Sequence, residues 1–301
     1  MELVRTLTQD PLRAYTALSI AAAAVLSGAV FVARLETAWV PLRTWLIMLP
    51  AILVPIWIGA WAWTAFVVLV SVFGFKEFAR VSGLYRERLF VVVVYAAIAA
   101  INLAAYFRLD GVFLVLPLWT VVALTLVPII LNRTEAMLQW FALSVVGLIF
   151  YGFFLGHLSW LIQTPLGVGP LLYVVLATQL NDVFAYVFGK LFGRHRWTTL
   201  SPNKTIEGSV LATVATVLLT FLQAPIAFPH VPWWGVLLAG LIVGIGGQVG
   251  DLTMALVKRS AGVKDFGHLL PGHGGITDRV NSLMITVPIF VHAMGTLFGP
   301  F

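Results

Sequence analysis

Cysteine is absent from this chain of 301 residues, so disulfide bonds and catalysis by a thiolate are both excluded. Charged residues are also scarce: they make up 10% of the sequence, whereas hydrophobic residues make up 60%. An average soluble domain carries about 25% charged residues. The composition therefore excludes an ordinary soluble domain and predicts an all-α, polytopic integral membrane protein.

Apolar runs long enough to cross a bilayer recur along the chain. They predict about ten transmembrane helices, near 14–33, 44–59, 62–76, 89–107, 112–131, 137–162, 170–190, 208–227, 233–257 and 282–298. The interval 44–76 is short for two spans, so one broken helix or a shallow hairpin is an alternative there.

Lys and Arg are concentrated in alternate loops between these spans. Fifteen of the eighteen basic residues lie in or beside the loops 34–43, 77–88, 132–136, 190–207 and 258–281. Because cytoplasmic loops carry an excess of Lys and Arg, we predict that these loops face the cytoplasm. Topology and anionic ligands at the membrane then explain the net charge of +6, and no nucleic-acid partner is expected.

The segment from Asp251 to Arg279 holds three acids, four bases, two histidines and a Pro-Gly-His-Gly-Gly turn directly after an apolar run. Bases neutralise phosphate oxygens, carboxylates are ligands that Mg²⁺ prefers, and glycines let a backbone approach an anion. The segment predicts a site for a phosphate substrate and a divalent cation. Its phosphate ligands would be Lys258, Arg259 and Lys264, and its cation ligands Asp251 and Asp278. A basic loop that only fixes topology is the alternative.

Spacing refines these roles. Asp251 and Lys258 are seven residues apart and share one face of a helix, and Asp278 is expected to open the last helix. Asp265 either has a catalytic or ribose-binding role or forms a local salt bridge with its neighbour. His273 acts either as a general acid or base, or only as a hydrogen-bond donor to phosphate.

Two earlier segments add candidate ligands. SPNKTIEG predicts a helix start, capped by Ser201 with Pro202 in the first turn, at which Lys204 and Thr205 could hold a triphosphate. Capping alone is the alternative, also for the carboxylate of Glu207. Within an apolar span, Asn181 and Asp182 would line a polar cavity, with interhelical hydrogen bonding as the alternative.

The run KRSAGVKDFGHLLPGHGGITDRVNS resembles the signature of the phosphatidate cytidylyltransferases (CDP-diacylglycerol synthases), roughly S-x-x-K-R-x4-K-D-x4-L/I/F-P-G-H-G-G-x-x-D-R-x-D. SPNKTIEG and NDVFAYVFGK are similar to two further elements of that family, S-P-x-K-T-x-E-G and N-D-x-x-A-Y-x-x-G-K/R. The resemblance extends from about Arg43 to the C-terminus. It departs at Asn281, where the family usually has Asp, and at Thr253 or Met254, where it often has Ser.

The resemblance implies an enzyme that joins CTP to phosphatidate, giving CDP-diacylglycerol and pyrophosphate in phospholipid biosynthesis. It implies Mg²⁺ on Asp251 and Asp278, with a second cation and a homodimer as further expectations. The catalytic residues would be Asp251, Asp278, Lys258, Asp265 and His273. The substrate ligands would be Ser201, Lys204, Thr205, Glu207, Arg259, Lys264, Arg279, Asn181 and Asp182.

The same resemblance organises the chain into three parts in the inner (plasma) membrane, with the site on the cytoplasmic side. Residues 1–42 form an extension with one helix, 43–165 the N-terminal helices, and 166–301 the catalytic region, so that nine helices form the family-like core.

Two other functions remain open from the sequence. A CTP-dependent lipid kinase acting on a polyprenol-type alcohol would need a base, for which His273 or Asp265 is suited. A secondary transporter would use the glycine-rich helices and the acids within them, but it should show internal duplication, and none is seen in the sequence.

Overall fold

The computed structural model describes residues 10–32, 36–267 and 274–299. For residues 25–32 and 36–45 it describes the backbone alone. Ten long helices follow one another in this part of the chain. They are α1 (Pro11–Val32), α2 (Glu36–Ile58), α3 (Ala60–Val81), α4 (Arg88–Tyr106), α5 (Asp110–Leu131), α6 (Met137–Leu161), α7 (Val168–Phe192), α8 (Ile206–Ala227), α9 (Trp233–Ser260) and α10 (Thr277–Phe298). The described residues contain no strand, and isolated bridges such as the one between Arg196 and Thr205 are the nearest approach to one, which confirms the all-α prediction.

Eight of these helices, α3 to α10, are long and apolar enough to cross a membrane, which confirms a polytopic membrane protein. The interval 44–76 contains parts of two separate helices. Helical structure is interrupted at Gly59, whose φ of 134° is readily adopted only by glycine. The predicted loop 34–43 is wrong in most of its length, since α2 already begins at Glu36. Charged residues interrupt an apolar run without interrupting a helix, because Glu and Arg are good helix formers.

The helices form two packed groups. Helices α7, α8, α9 and α10 pack in succession, and α10 also contacts α7, while α3, α4, α5 and α6 pack around one another. Helix α10 joins the groups through its contacts with α3 and α6. Helix α6 contains a π-helical turn at Leu148–Phe154, which faces α10.

Side-chain contacts bring the connections predicted to be cytoplasmic together at one end of the bundle. Arg133, after α5, lies 3.4 Å from Glu87, before α4. Arg259, at the end of α9, donates to the carbonyl of Leu200 between α7 and α8. Most of the candidate residues lie at this end.

Candidate active site at one end of the bundle

A lysine and an aspartate connect the end of α9 to the start of α10. Lys258 Nζ lies 2.8 Å from Asp278 Oδ1, and both side chains are largely buried. The second oxygen, Oδ2, accepts the backbone N–H groups of Phe266 and Gly275 at 3.1 and 2.9 Å. Asp278 lies in the first turn of α10, as predicted, and its carboxylate ties that turn to the chain leaving α9.

A second lysine–aspartate pair involves Asp251, seven residues before Lys258 on α9. Lys204 Nζ is 2.7 Å from Asp251 Oδ2, and the other oxygen of Asp251 accepts the amide N–H of Asn281 at 2.7 Å. Asn281 Oδ1 accepts the backbone N–H of Ser282, whose hydroxyl donates to Asp182 Oδ2 at 2.8 Å. An ion pair therefore joins Lys204 to Asp251, and hydrogen bonds connect Asp251 through Asn281 and Ser282 to Asp182.

Asp251 and Asp278 lie at the same end of the bundle, because Asp251 contacts Asn281, one helical turn after Asp278. Helices α9 and α10 approach closely here, since a Cβ on Gly250 would collide with the backbone of Asn281 and Ser282. Within the described part of the chain, no three His, Asp or Glu side chains form a group able to hold a metal ion. Two carboxylates nevertheless fit Mg²⁺, which usually takes one or two protein carboxylates and completes its shell with substrate phosphates and water.

The start of α8 differs from the prediction. Thr205, not Ser201, is the N-cap: its side chain accepts the N–H of Gly208 at 3.2 Å, and the helix begins at Ile206. Ser201 instead accepts the N–H of Lys204 through its carbonyl, in a turn that precedes the helix. Thr is also a favourable N-cap residue. Thr205 caps this helix because its hydroxyl lies three residues before Gly208, whose N–H has no partner within the helix. The prediction that Ser201 and Pro202 open the helix is wrong.

Glu207 and Asn181 are committed to contacts within the protein. The carboxylate of Glu207 accepts the backbone N–H groups of Arg194 and His195 at 3.1 Å and pairs with the His195 ring, so it holds the turn after α7. Asn181 is fully buried; it donates to the carbonyl of Gly244 and accepts from the hydroxyl of Thr216. Its geometry matches the interhelical alternative.

The remaining candidates surround the two pairs. Arg259, Lys264 and Asp265 are exposed, and Arg279 is partly buried with its carbonyl accepting from Gln179 Nε2 at 3.1 Å. His273 lies outside the described residues. The arrangement thus offers exposed cations beside two acids that are each held by a lysine, which suits a doubly anionic reaction centre.

A sequence-family model of the cytidylyltransferases matches residues 39–297. The chain belongs to the cytidylyltransferase family. The match covers all three segments that carry the candidate site, together with the N-terminal helices that the motifs do not reach.

The chain is similar to one protein over most of its length and to several others over a shorter stretch. The "Uncharacterized protein YnbB" of Escherichia coli K12 is 31% identical over 239 residues, which cover 77% of this chain and 78% of that protein. The phosphatidate cytidylyltransferase of Staphylococcus haemolyticus is 41% identical over 124 residues, and that of Staphylococcus aureus strain COL is 40% identical over the same length. In both cases the alignment covers 41% of this chain and about half of the relative, 48%.

The structure adds residues to this candidate site that the sequence analysis does not assign to it. Ser282 links Asp182 to Asn281, and Gln179 holds the first turn of α10. From the N-terminal group of helices, Glu77 and Tyr151 also reach this turn. One available signal was the position of Glu77, an acid near the end of an apolar span, since acids in such spans often mark functional sites.

Proposed function

We propose that this protein transfers the cytidylyl group of CTP to phosphatidate, forming CDP-diacylglycerol and pyrophosphate. The observation that carries the proposal is the double lysine–aspartate arrangement at one membrane end, Lys204 with Asp251 and Lys258 with Asp278. Family membership supports nucleotidyl transfer as the class of reaction. The names of the staphylococcal relatives support phosphatidate as the acceptor.

The reaction exchanges one bond to phosphorus for another. An ionised phosphate oxygen of phosphatidate attacks the α-phosphorus of CTP, and the bond from that phosphorus to the bridging oxygen breaks. Pyrophosphate leaves with the electron pair, so no proton transfer is needed in the bond-making step. The nucleophile and the nucleotide are both anions, and their repulsion is the main barrier that the protein has to lower.

The side chains of the site address this repulsion. Lys204 and Lys258 form ion pairs with the two acids. The exposed side chains of Arg259 and Lys264 add positive charge where the phosphate groups of the substrates would bind. Positioning and neutralisation of charge provide most of the catalysis in phosphoryl-type transfer, so a covalent protein intermediate is not required. Asp251 and Asp278 would hold Mg²⁺, which when bound supplies electrostatic stabilisation of the phosphate oxygens.

The position of the site suits one soluble and one lipid substrate. At the end that carries most of the basic residues, Lys204, Lys258 and Asp278 lie where helices α8, α9 and α10 meet their connecting segments, and Asp251 lies seven residues before Lys258 within α9. The positive-inside rule supports a cytoplasmic location for this end. CTP would approach from water, and the acyl chains of phosphatidate would remain in the lipid between helices of the inner membrane.

The test uses purified protein in detergent with phosphatidate, Mg²⁺ and CTP labelled either in cytidine or in the γ-phosphate. The proposal expects the cytidine label in lipid and the γ-label in pyrophosphate. When a polyprenol-type alcohol replaces phosphatidate, a γ-label in lipid would instead identify a CTP-dependent lipid kinase. The absence of cytidine label in lipid with phosphatidate would end the proposal. The Asp278→Asn variant serves as the inactive control, while Arg133→Ala, at the same end, keeps full turnover.

A further inference from the structure

Glu77 reaches the first turn of α10 from α3, two hundred residues earlier in the chain. Its Oε1 accepts the backbone N–H of Ile276 at 3.0 Å, and its Oε2 accepts that of Thr277 at 2.9 Å. The first N–H groups of a helix have no partners within that helix and carry its positive dipole end. A carboxylate from α3 therefore fills the role of an N-terminal cap for α10.

The side chain of Thr277 connects the same turn to α3 a second time and also to α6. Its hydroxyl donates to the carbonyl of Gly74 at 3.1 Å, and the hydroxyl of Tyr151 lies 3.1 Å from it. Tyr151 is fully buried in the π-helical turn of α6. Such turns are frequent at functional sites, and this one aims a hydroxyl at the residue next to Asp278.

Glycines make room for the carboxylate of Glu77. A Cβ added at Gly267 or Gly275 would collide with that carboxylate, and a Cβ at Gly74 would collide with the ring of Tyr151. Gly267 directly follows Phe266, and Phe266 and Gly275 are the two residues whose backbone N–H groups bind Asp278 Oδ2. Two carboxylates therefore hold the backbone at the start of α10: Asp278 binds Phe266 and Gly275, and Glu77 from α3 binds Ile276 and Thr277.

We propose that Glu77 is a positioning residue for Asp278, acting through the backbone of Ile276 and Thr277. Two bonds from one carboxylate fix both the direction of the first turn of α10 and the distance of that turn from α3. Asp278 follows Thr277 directly, so its carboxylate meets Lys258 only while that turn is held. As a statement about catalysis this rests on the proposed cytidylyl transfer; as a statement about the position of Asp278 it does not.

Glu77→Gln tests the proposal, because glutamine keeps the size of the side chain but turns an N–H₂ group toward one backbone N–H. Hydrogen–deuterium exchange of the full-length protein in detergent is the first measurement. Amides of Gly275 to Thr277 should exchange about 10-fold or more faster than in the unchanged protein, while the amides of α7 and α8 keep their rates. Glu87→Gln is the matched control, because Glu87 lies at the same end and pairs with Arg133.

Turnover is the second measurement. Glu77→Gln should lower kcat about 100-fold with KM for CTP nearly unchanged, since misplacing a reactive group by about 1 Å costs that much. Glu77→Asp, which can still offer one oxygen, should recover part of kcat. A purely structural role would instead lower the amount of folded protein and leave kcat per folded molecule unchanged.

The outcomes separate the two proposals. Unchanged exchange at Gly275 to Thr277 in Glu77→Gln overturns the positioning role, whatever the activity. Faster exchange together with an unchanged kcat also overturns it, because the turn would then have no influence on catalysis. Faster exchange in a protein that never transfers cytidylyl groups leaves Glu77 as the support of Asp278 and ends only the proposed function.

Discussion

The amide nitrogen of Asn281 donates to Oδ1 of Asp251 across 2.7 Å, between α10 and α9. The oxygen of the same amide accepts the N–H of Ser282, so both ends of the side chain are occupied. Asn281 stands where the resembling family usually has an aspartate. In this protein a neutral donor thus faces Asp251 where a second carboxylate would otherwise repel it.

Asn281→Asp should make the protein more dependent on Mg²⁺. Without a cation, two carboxylates would meet where a hydrogen bond now exists, and like charges at this separation are destabilising. The variant should unfold at a lower temperature than the unchanged protein in EDTA, and saturating Mg²⁺ should raise its unfolding temperature by more. Thermal unfolding in detergent with and without Mg²⁺ measures both effects.

Asn102→Asp is the matched control for that experiment. Asn102 is buried in α4, where it donates to the carbonyl of Ile98 and accepts from the hydroxyl of Ser159, away from the site. This substitution should lower the unfolding temperature equally with and without Mg²⁺. Equal Mg²⁺ effects on the Asn281 and Asn102 variants would contradict a cation beside Asp251.

Lys258→Ala should reduce turnover about 100-fold, the usual order of loss when one donor to a developing charge is removed. It deprives Asp278 of its charged partner and the site of one cation. Arg133→Ala removes a comparable charge at the same end, but its ion pair with Glu87 is exposed and such pairs contribute little. Initial rates of pyrophosphate release, divided by the folded fraction, measure both. Equal rates in the two variants would remove Lys258 from the mechanism.

Much of this site could be predicted because its residues are local in sequence. Asp251 and Lys258 share a helix face at a spacing of seven, and both indeed reach toward α10. The apolar runs predicted about ten transmembrane helices. The described part of the chain has ten long helices, of which eight are long and apolar enough to cross a membrane. The prediction of a loop at 34–43 failed because it took charged residues such as Glu36 as the end of a helix. Glu and Arg are good helix formers, so a helix can continue through them.

The contribution of the N-terminal helices could not be predicted, because it depends on contacts between distant parts of the chain. Nothing near Glu77 in sequence indicates that its partners are the backbone N–H groups of Ile276 and Thr277. Backbone donors carry no sequence signal. The helix start at Thr205 was missed for a different reason. SPNKT contains three good capping residues, Ser201, Asn203 and Thr205, and only the turn that starts at Ser201 decides among them.

Asn181 and Asp182 are adjacent in sequence but should respond differently to substitution. Asn181→Ala removes two buried interhelical bonds and should destabilise the protein by about 1–3 kcal/mol with KM for CTP unchanged. Asp182→Asn keeps the shape of the side chain but removes a charge that the Ser282 bond connects to Asn281 and Asp251. It should lower kcat with little loss of stability. Unfolding temperature and steady-state kinetics of the two variants distinguish these effects, and a raised KM for CTP in Asn181→Ala would return that residue to the substrate site.

Gly275→Ala should be harmful mainly because of Glu77. The added methyl group would collide with the Glu77 carboxylate, which needs that space to reach the N–H groups of Ile276 and Thr277. In a double-mutant cycle, Gly275→Ala should therefore cost stability and turnover when Glu77 is present and much less in a Glu77→Ala background. We expect a coupling free energy of at least about 1 kcal/mol from thermal unfolding, and a similar non-additivity in kcat.

Gly262 provides the control position for this cycle. Gly262 follows α9, and the space around its Cβ position is open. Its φ of 72° lies in the left-handed region, which Asn tolerates better than most residues, so Gly262→Asn is the suitable change. Its effect should add to that of Glu77→Ala without coupling. If the Gly275 and Glu77 substitutions were equally additive, the carboxylate and the glycine would act independently. The first turn of α10 would then be held by the contact between the hydroxyl groups of Thr277 and Tyr151. Tyr151→Phe removes this contact, and that substitution would show the coupling instead.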